Sequence, residues 1–219
     1  MKIIAHRGAW CGDDSLGIPV CEKNSVQAFE IAVEQGFGIE TDFRDICGKV
    51  VVSHNPPKMD ALSAEDFFKL TRKDQIVAVN VKADGIADTL KSIWQSHAPT
   101  CRPFAFDMSV PDTLGYIKAG FPFFERRSEF EKLNVWGGVA SGFWLDGFKS
   151  VWFDCEFIKS LLGYGQPVCI VSPELHAREF RSFWRDIKAL VRDCNVDGDK
   201  VWLCTDQPFE AERYFLKDI

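Results

Sequence analysis

The sequence predicts an α/β protein with the fold of a single (β/α)8 TIM barrel that spans residues 1–219 as one domain. Two observations predict it. Short β-branched and aromatic runs alternate without interruption with helical apolar patterns, which indicates eight strands and about eight helical segments. Polar or charged residues also follow nearly every predicted strand, and in a barrel these strand ends surround one mouth, where the active site lies. A doubly wound open sheet is the alternative.

The predicted strands are short apolar runs that end in turn-forming or polar residues. They are residues 2–5, a strand that opens at 37–39, and residues 75–81, 103–107, 121–125, 142–146, 167–171 and 200–204. A further β-branched run covers residues 49–53 and ends at Asn55-Pro56-Pro57, because proline cannot donate a backbone hydrogen bond to a neighbouring strand.

The helices between these strands are predicted from apolar residues at helical spacing. Asn24-Ser25 offers a cap for the first helix, and Gly36 ends it. The predicted helical segments are residues 26–33, 63–70, 86–96, 110–119, a short turn at 129–133, and residues 153–162, 177–191 and 210–216. Residues 9–21 are rich in Gly, Asp, Ser and Pro and are predicted to form a loop.

Composition excludes several classes of partner. The net charge of −6 and the absence of a basic run argue against nucleic-acid binding. No apolar stretch approaches the roughly 18 residues that cross a bilayer, and no secretory signal is visible, so we expect a cytoplasmic protein without membrane insertion. The eight cysteines are scattered singly, which favours reduced thiols over a disulfide framework or a zinc site. Cys11 and Cys21 lie in the same predicted loop and could come close, so they are the one pair to check for a disulfide.

The second strand carries an unusual cluster of charge. Glu40, Asp42 and Arg44 alternate with Thr41 and Phe43, so two carboxylates and a guanidinium share one face. Neighbouring carboxylates repel each other unless a cation lies between them, and a divalent cation with oxygen ligands is the natural occupant. A solvent-facing polar edge is the alternative interpretation.

Two histidines lie at predicted strand ends. His6-Arg7-Gly8 follows the first strand, and His54 follows the run at 49–53. Two histidines, an arginine and two acids suit phosphoryl chemistry, since one histidine can accept a proton from the nucleophile while the other protonates the leaving oxygen. The cations stabilise the charge on the phosphate.

These motifs resemble those of the glycerophosphodiester phosphodiesterases, members of the phosphatidylinositol-phospholipase-C-like phosphodiesterase superfamily. The shared motifs are His6-Arg7-Gly8, Asn24-Ser25 with Ala28-Phe29, residues 38–42 and residues 51–55. The sequence is most similar to a short subgroup encoded among surface-polysaccharide genes, with which it shares residues 22–25, 80–85, 106–109, 144–146 and 172–176.

The resemblance implies a barrel whose mouth holds one Mg²⁺ or Ca²⁺. By position, it assigns Glu40 and Asp42 as metal ligands, His6 and His54 as the acid/base pair, and Arg7 and Lys82 as phosphate-binding cations. The sequence departs from the family at two positions. Lys23 stands where the family has a glutamate, and Asn80 stands where it has a third metal carboxylate. We therefore expect weaker metal affinity unless Asp107 or Glu125 compensates.

Four further acids lie at predicted strand ends and are second-tier candidates, expected to orient a metal ligand, to determine specificity or to cap a loop and not to bind the metal themselves: Asp107, Glu125, Asp146 and Glu174. His176 is either structural or substrate-facing. The predicted function is metal-dependent cleavage of a small-molecule glycerol-, polyol- or sugar-phosphodiester, such as a surface-polysaccharide precursor or a nucleotide-linked polyol. A barrel that binds a phosphorylated ligand without turnover and a lyase that releases a cyclic phosphate are the alternatives. The sequence does not indicate an oligomeric state.

Overall fold

The computed structural model describes residues 1–132, 135–193 and 196–216, and nine strands and seven α-helices lie within these ranges. In chain order they are β1 (Lys2–His6), α1 (Val26–Glu34), β2 (Gly38–Ile46), β3 (Lys49–Val52), α2 (Ala64–Leu70), β4 (Ile76–Val81), α3 (Ala87–His97), β5 (Arg102–Phe106), α4 (Val110–Ala119), β6 (Phe124–Arg127), β7 (Gly142–Leu145), α5 (Cys155–Leu162), β8 (Val168–Val171), α6 (Arg181–Asp193), β9 (Val201–Thr205) and α7 (Pro208–Leu216). None of the helices within the described ranges is long and apolar enough to cross a membrane.

The strands follow the order β5-β4-β2-β1-β9-β8-β7-β6, and β3 pairs with β2 outside this path. The pairs β2–β4, β4–β5, β6–β7, β7–β8 and β8–β9 are parallel. An isolated parallel bridge also joins Ala105 of β5 to Phe123. Eight strands in this order, with helices between them, are the pattern of a (β/α)8 barrel, and this confirms the predicted fold class.

The ninth strand, β3, is the run predicted at residues 49–53. It forms an antiparallel hairpin with β2, in which Phe43 lies opposite Val52. The two-residue connection Cys47-Gly48 has positive φ angles of 50° and 77°, as a hairpin turn that matches strand twist requires. The hairpin turns the chain back from the carboxyl end of β2 towards its middle, where the Ser53 N–H donates to the Asp42 carbonyl at 2.9 Å and His54 follows.

Two compact units make up the chain. The first unit comprises residues 5–123, and the second comprises residues 1–4 together with residues 124–219. The prediction that the chain is one domain stays a prediction.

The core of the first unit contains four phenylalanines that are fully buried. Phe29 of α1, Phe43 of β2 and the neighbouring Phe67 and Phe68 of α2 have ring centroids 4.9–6.0 Å apart. Burying each ring stabilises the fold by about 1.5–3 kcal/mol. Because side chains alternate along a strand, packing Phe43 against these helices directs its neighbour Asp42 to the opposite face of β2.

The core of the second unit is built around Trp184 of α6, which is 1% exposed. Its ring lies 4.6 Å from Phe180 and 5.5–5.8 Å from Phe215 and Tyr214, between centroids. Its indole Nε1 donates to Ser172 Oγ at 2.8 Å, which satisfies the one polar atom of the side chain. These contacts pack α6 and α7 against the end of β8.

The strand predicted at residues 121–125 begins three residues later, as β6. Gly120 caps α4 in the left-handed conformation, and the backbone N–H of Phe121 donates to the Tyr116 carbonyl at 3.0 Å. Phe121 therefore belongs to the helix end, and Pro122 has no N–H to donate. The Phe121 ring is still buried, against Tyr116 and Trp94.

Two helical predictions in the second unit need correction. Residues 129–132 do not form a helical turn, because the Ser128 and Glu131 backbones and the Arg126–Glu131 ion pair organise this segment instead; Leu133 lies outside the described residues. The helix predicted at 177–191 begins at Arg181. A short 3₁₀ helix, Pro173–His176, ends at Ala177 with φ of 55°, which interrupts the helical path.

The cysteines were predicted to be reduced thiols. No disulfide joins any two of the seven cysteines in the described ranges, which are Cys11, Cys21, Cys47, Cys101, Cys155, Cys169 and Cys204. The eighth, Cys194, lies outside the described residues. Burial raises the pKa of the Cys101 thiol to about 11, so this thiol stays protonated at neutral pH.

Candidate active site

Strand register brings three oxygen-bearing side chains together in the first unit. Asp42 of β2 lies opposite Asn80 of β4, and Glu40 lies two residues before Asp42 on the same face. Glu40, Asp42 and Asn80 are 1%, 0% and 9% exposed. Asn80 Nδ2 donates to Glu40 Oε1 at 3.1 Å. The charged face that the sequence predicts is therefore buried, which contradicts the alternative of a solvent-facing polar edge.

The turn after β1 holds Arg7 against these acids. Its Nε lies 3.2 Å from Asp42 Oδ2, and its backbone N–H lies 3.2 Å from Glu40 Oε2. Arg7 has a φ of 58°, a conformation that costs a non-glycine residue about 1–3 kcal/mol and concentrates at functional sites. The next residue must be glycine: Gly8 has a φ of 84°, and a Cβ there would lie 2.7 Å from that of Ala28.

Lys82 extends the charge network at the end of β4. Its Nζ lies 3.8 Å from Asp42 Oδ1 and 3.7 Å from Asp107 Oδ2. Asp107 follows β5 and has a φ of 66°, a conformation that aspartate tolerates better than most residues. Of the four second-tier acids, Asp107 is the one that contacts a predicted phosphate-binding residue within the first unit.

The two predicted acid/base histidines both belong to the first unit, and their surroundings differ. His6, with 14% of its side chain exposed, has Nε2 3.8 Å from Glu40 Oε2. His54 is exposed, and its Nδ1 lies 3.2 Å from Asn55 Oδ1. His54 and Arg7 line the same open cavity of about 380 Å³.

The remaining second-tier acids lie in the second unit and have hydrogen-bond partners within that unit. Glu125 accepts from the backbone N–H of Val135 at 2.7 Å. Asp146 accepts from the Gly147 N–H, and its Oδ1 lies 2.7 Å from His176 Nε2.

Glu174 in the same unit is a partly buried carboxyl with several hydrogen-bond donors around it. It accepts from Ser172 and Thr205 hydroxyls and from the Asp206 N–H. Burial raises the pKa of this carboxyl, and the hydroxyl donors partly oppose the rise. The contacts are those of a group that joins the ends of β8 and β9.

Two polar residues of the site were not among the predicted site residues. The pair Asn24-Ser25 was expected to cap α1, and Ser25 is the cap; Asn24 Nδ2 instead donates to Asp42 Oδ2 at 3.1 Å. Arg44 shares the charged face of β2, and its guanidinium donates to the backbone carbonyls of His54 and Lys82, each at 3.1 Å. The alternation of side chains along β2, which puts Arg44 on the same face as Asp42, is the sequence pattern that could have identified Arg44 as a site residue.

The donor chemistry fits a hard divalent cation. Asp42 Oδ1 and Asn80 Oδ1 are buried without a hydrogen-bond partner, and two carboxylates with an amide oxygen are ligands that Mg²⁺ and Ca²⁺ accept. No group of three or more His, Cys, Asp or Glu side chains suited to a metal occurs in the described ranges. Any cation here would thus depend on Asn80 as its third protein ligand and would compete with Lys82 for Asp42.

The Glu40 carboxyl should make stability depend on pH. Burial, followed by the charge of Asp42, raises its pKa from 4.5 to about 7, although His6, Asn80 and Arg7 oppose the rise. The folded protein therefore binds this proton more tightly than the unfolded chain. The resulting stabilisation is complete below pH 4.5 and is lost as pH rises through 7.

We expect the free energy of unfolding, measured in EDTA by urea titration, to fall by up to about 3 kcal/mol between pH 4.5 and 7.5. Glu40→Gln has no carboxyl to titrate and should show a flatter profile. Equal slopes for the parent and the variant would contradict the assignment of the pH dependence to Glu40.

Comparison with known proteins supports the fold. No protein-family model matches the chain, and no curated protein is significantly similar to it. The crystal structure of a glycerophosphodiester phosphodiesterase from Agrobacterium tumefaciens is similar, with a TM-score of 0.63 and 15% sequence identity. The similarity covers 95% of this chain and 97% of that one, and at this identity it is a similarity of fold.

Proposed function

We propose that the protein is a metal-dependent phosphodiesterase, a phosphoric diester hydrolase. The observation that carries the proposal is the buried cluster of the first unit, in which Asp42 contacts both Arg7 and Lys82 beside Glu40. The similarity of fold to a glycerophosphodiester phosphodiesterase supports it. The substrate is a glycerol-, polyol- or sugar-phosphodiester, in line with the sequence resemblance to enzymes encoded among surface-polysaccharide genes.

In this proposal, Arg7 and Lys82 bind the phosphate, and each stabilises negative charge that develops on its oxygens. His54 acts as the base, because Asn55 holds Nδ1 and leaves Nε2 to accept the proton of the nucleophile. His6 acts as the acid that protonates the leaving oxygen. The nucleophile is a neighbouring hydroxyl of the substrate, which gives a cyclic phosphate that water then opens.

Glu40, Asp42 and Asn80 would hold one Mg²⁺ or Ca²⁺. When bound, the cation supplies Lewis-acid stabilisation of the phosphate charge. Asn24 and Arg7 orient the Asp42 carboxylate from one side, and Arg44 holds the His54 and Lys82 backbones in place.

The test is turnover on a panel of glycerophosphodiesters, CDP-polyols and bis-p-nitrophenyl phosphate, with Mg²⁺, Ca²⁺ or EDTA. We expect at least one substrate to be cleaved with a divalent cation and none in EDTA. Phosphorus NMR of the products separates the lyase alternative, for which the cyclic phosphate persists. Absence of turnover with every metal would contradict the proposal.

A barrel that binds a phosphorylated ligand without turnover is a second candidate, and one observation favours it. Asn80 donates to Glu40 where a third carboxylate would add negative charge, and Arg7 and Lys82 already neutralise part of the charge of Asp42. Measurable binding of inorganic phosphate by calorimetry, together with no turnover on the panel, would support this candidate.

A further inference from the structure

The two oxygens of the Asp42 carboxylate have different partners. Oδ2 lies 3.2 Å from Arg7 Nε and accepts a hydrogen bond from Asn24 Nδ2 at 3.1 Å. Oδ1 is buried without a hydrogen-bond partner, and Lys82 Nζ lies 3.8 Å from it. Asn80, opposite Asp42 in the strand register, also has a buried Oδ1 without a hydrogen-bond partner. Buried polar atoms are normally satisfied, so this pair of oxygens indicates a place for a cation.

The side chain of Asn24 is held at both ends of its amide. Nδ2 donates to Asp42, and Oδ1 accepts from Thr41 Oγ1 at 2.8 Å. Because an ionised carboxylate can only accept hydrogen bonds, the amide nitrogen must face Asp42 and the amide oxygen must face away from it. The Thr41 hydroxyl donates to that oxygen and so restrains the amide against rotation away from Asp42.

The backbone of Asn24 is also fixed. It has a φ of 59°, which asparagine tolerates better than most residues because its short polar side chain can form local hydrogen bonds. Its N–H donates to the Arg7 carbonyl at 2.9 Å, and the next residue, Ser25, caps α1. Backbone conformations of this kind cost free energy and concentrate at functional sites, which suggests a role for Asn24 beyond starting the helix.

Thr41 acts on this arrangement from the other face of β2. It is fully buried, and the alternation of side chains along a strand directs it away from the face of Glu40 and Asp42. Valine has a similar shape and suits a buried strand, so packing alone does not require a hydroxyl at this position. What the hydroxyl adds is the hydrogen bond to Asn24.

We infer that Thr41 and Asn24 are positioning residues that make Oδ1 of Asp42 the oxygen that binds the cation. The inference rests on the proposed function in taking Asp42 as a ligand of a divalent cation. Asn24 and Arg7 occupy Oδ2 and leave Oδ1 available, and Thr41 acts through Asn24. Residues that orient a metal ligand in this way commonly change metal affinity by about 10- to 100-fold.

The test is calorimetric titration of Mg²⁺ and of Ca²⁺ into protein freed of metal with EDTA and desalted. Thr41→Val should raise the Kd of the cation by about threefold to tenfold, the contribution of one hydrogen bond. Thr41→Ser keeps the hydroxyl and should bind the cation as the parent does. Asn24→Gly removes the amide while the positive φ stays accessible, and it should raise the Kd by about 10- to 100-fold.

Thr113→Val is the matched control. Thr113 is a buried threonine of the same unit, and its hydroxyl donates to the Ser109 carbonyl within α4 at 3.0 Å. The substitution therefore removes a buried hydroxyl and its hydrogen bond away from the site, and the Kd should not change. An equal rise of the Kd in Thr113→Val and Thr41→Val would overturn the inference, because both would then report a general loss of structure.

A Kd for Thr41→Val equal to that of the parent would also overturn the inference, as would a rise in Thr41→Ser as large as that in Thr41→Val. Absence of cation binding by the parent would overturn it together with the metal dependence of the proposed function. Cation-dependent turnover with an unchanged Kd in Thr41→Val contradicts only the inference. The expected order of Kd values without turnover on the panel contradicts the diesterase and supports the positioning role.

Discussion

We expect His6→Asn and His54→Asn each to lower kcat for phosphodiester cleavage by about 10²- to 10⁴-fold, the contribution typical of general acid–base catalysis. Both histidines lie in the first unit, His6 beside Glu40 and His54 on the cavity that Arg7 also lines. Asparagine keeps hydrogen-bonding capacity but cannot transfer a proton at neutral pH. His97→Asn, an exposed substitution in α3 of the same unit, is the matched control and should leave kcat unchanged.

The leaving group distinguishes the acid from the base. A p-nitrophenolate leaves without protonation, whereas an alkoxide requires a proton. If His6 is the acid, His6→Asn should lose much less activity on glycerophosphoryl-p-nitrophenol than on glycerophosphoglycerol. His54→Asn should lose about the same on both substrates, because the nucleophile is unchanged.

The reverse pattern would exchange the two roles and contradict our assignment. Wild-type kcat in both variants would contradict acid–base catalysis by this pair. In the double variant, kcat should fall by less than the product of the two single-variant losses, because the effects of residues that act in one reaction step are not additive.

The largest effect on stability is expected for Asp42→Ala. Asp42 is fully buried and faces Arg7, Lys82 and Asn24. Removing one partner of a buried ion pair leaves the other charges uncompensated, which typically costs 3–5 kcal/mol, so we expect a loss of about 3 kcal/mol in the free energy of unfolding. We choose the lower end because the Arg7 and Lys82 side chains are 22% and 24% exposed.

Urea denaturation in EDTA measures this effect. Replacing Arg7 as well, in Asp42→Ala/Arg7→Met, should restore part of the stability, because the uncompensated guanidinium is then absent. Glu156→Ala is the control: it breaks the Glu156–Lys159 ion pair, in which Glu156 is 78% exposed, and should cost at most about 1 kcal/mol. A loss for Asp42→Ala as small as that of Glu156→Ala would show that the buried network contributes little to stability.

The parts of the fold that could be predicted are those set by neighbouring residues in the sequence. The alternation of side chains on β2 determines that Glu40 and Asp42 share a face while Phe43 packs among the helices. Ser63 and Ser109 cap α2 and α4 by accepting from a backbone N–H three residues later, a signal that acts over one helical turn. The shift of β6 from the predicted strand came from the capping bond between Phe121 and Tyr116, which a pattern of apolar residues does not reveal.

By itself, then, the sequence determined the (β/α)8 class and identified the histidines, acids and cations as candidate site residues. It could do so because the periodicity of strands and helices, and the residues at strand ends, are local features of the sequence. Only the tertiary structure decided which groups meet. Asn80 reaches Glu40, 40 residues away, through the parallel register of β2 and β4. Arg44 contacts the Lys82 backbone through the same pairing and the His54 backbone through the β2–β3 hairpin. Such contacts depend on how distant strands align and on the burial that follows, and no local pattern specifies either.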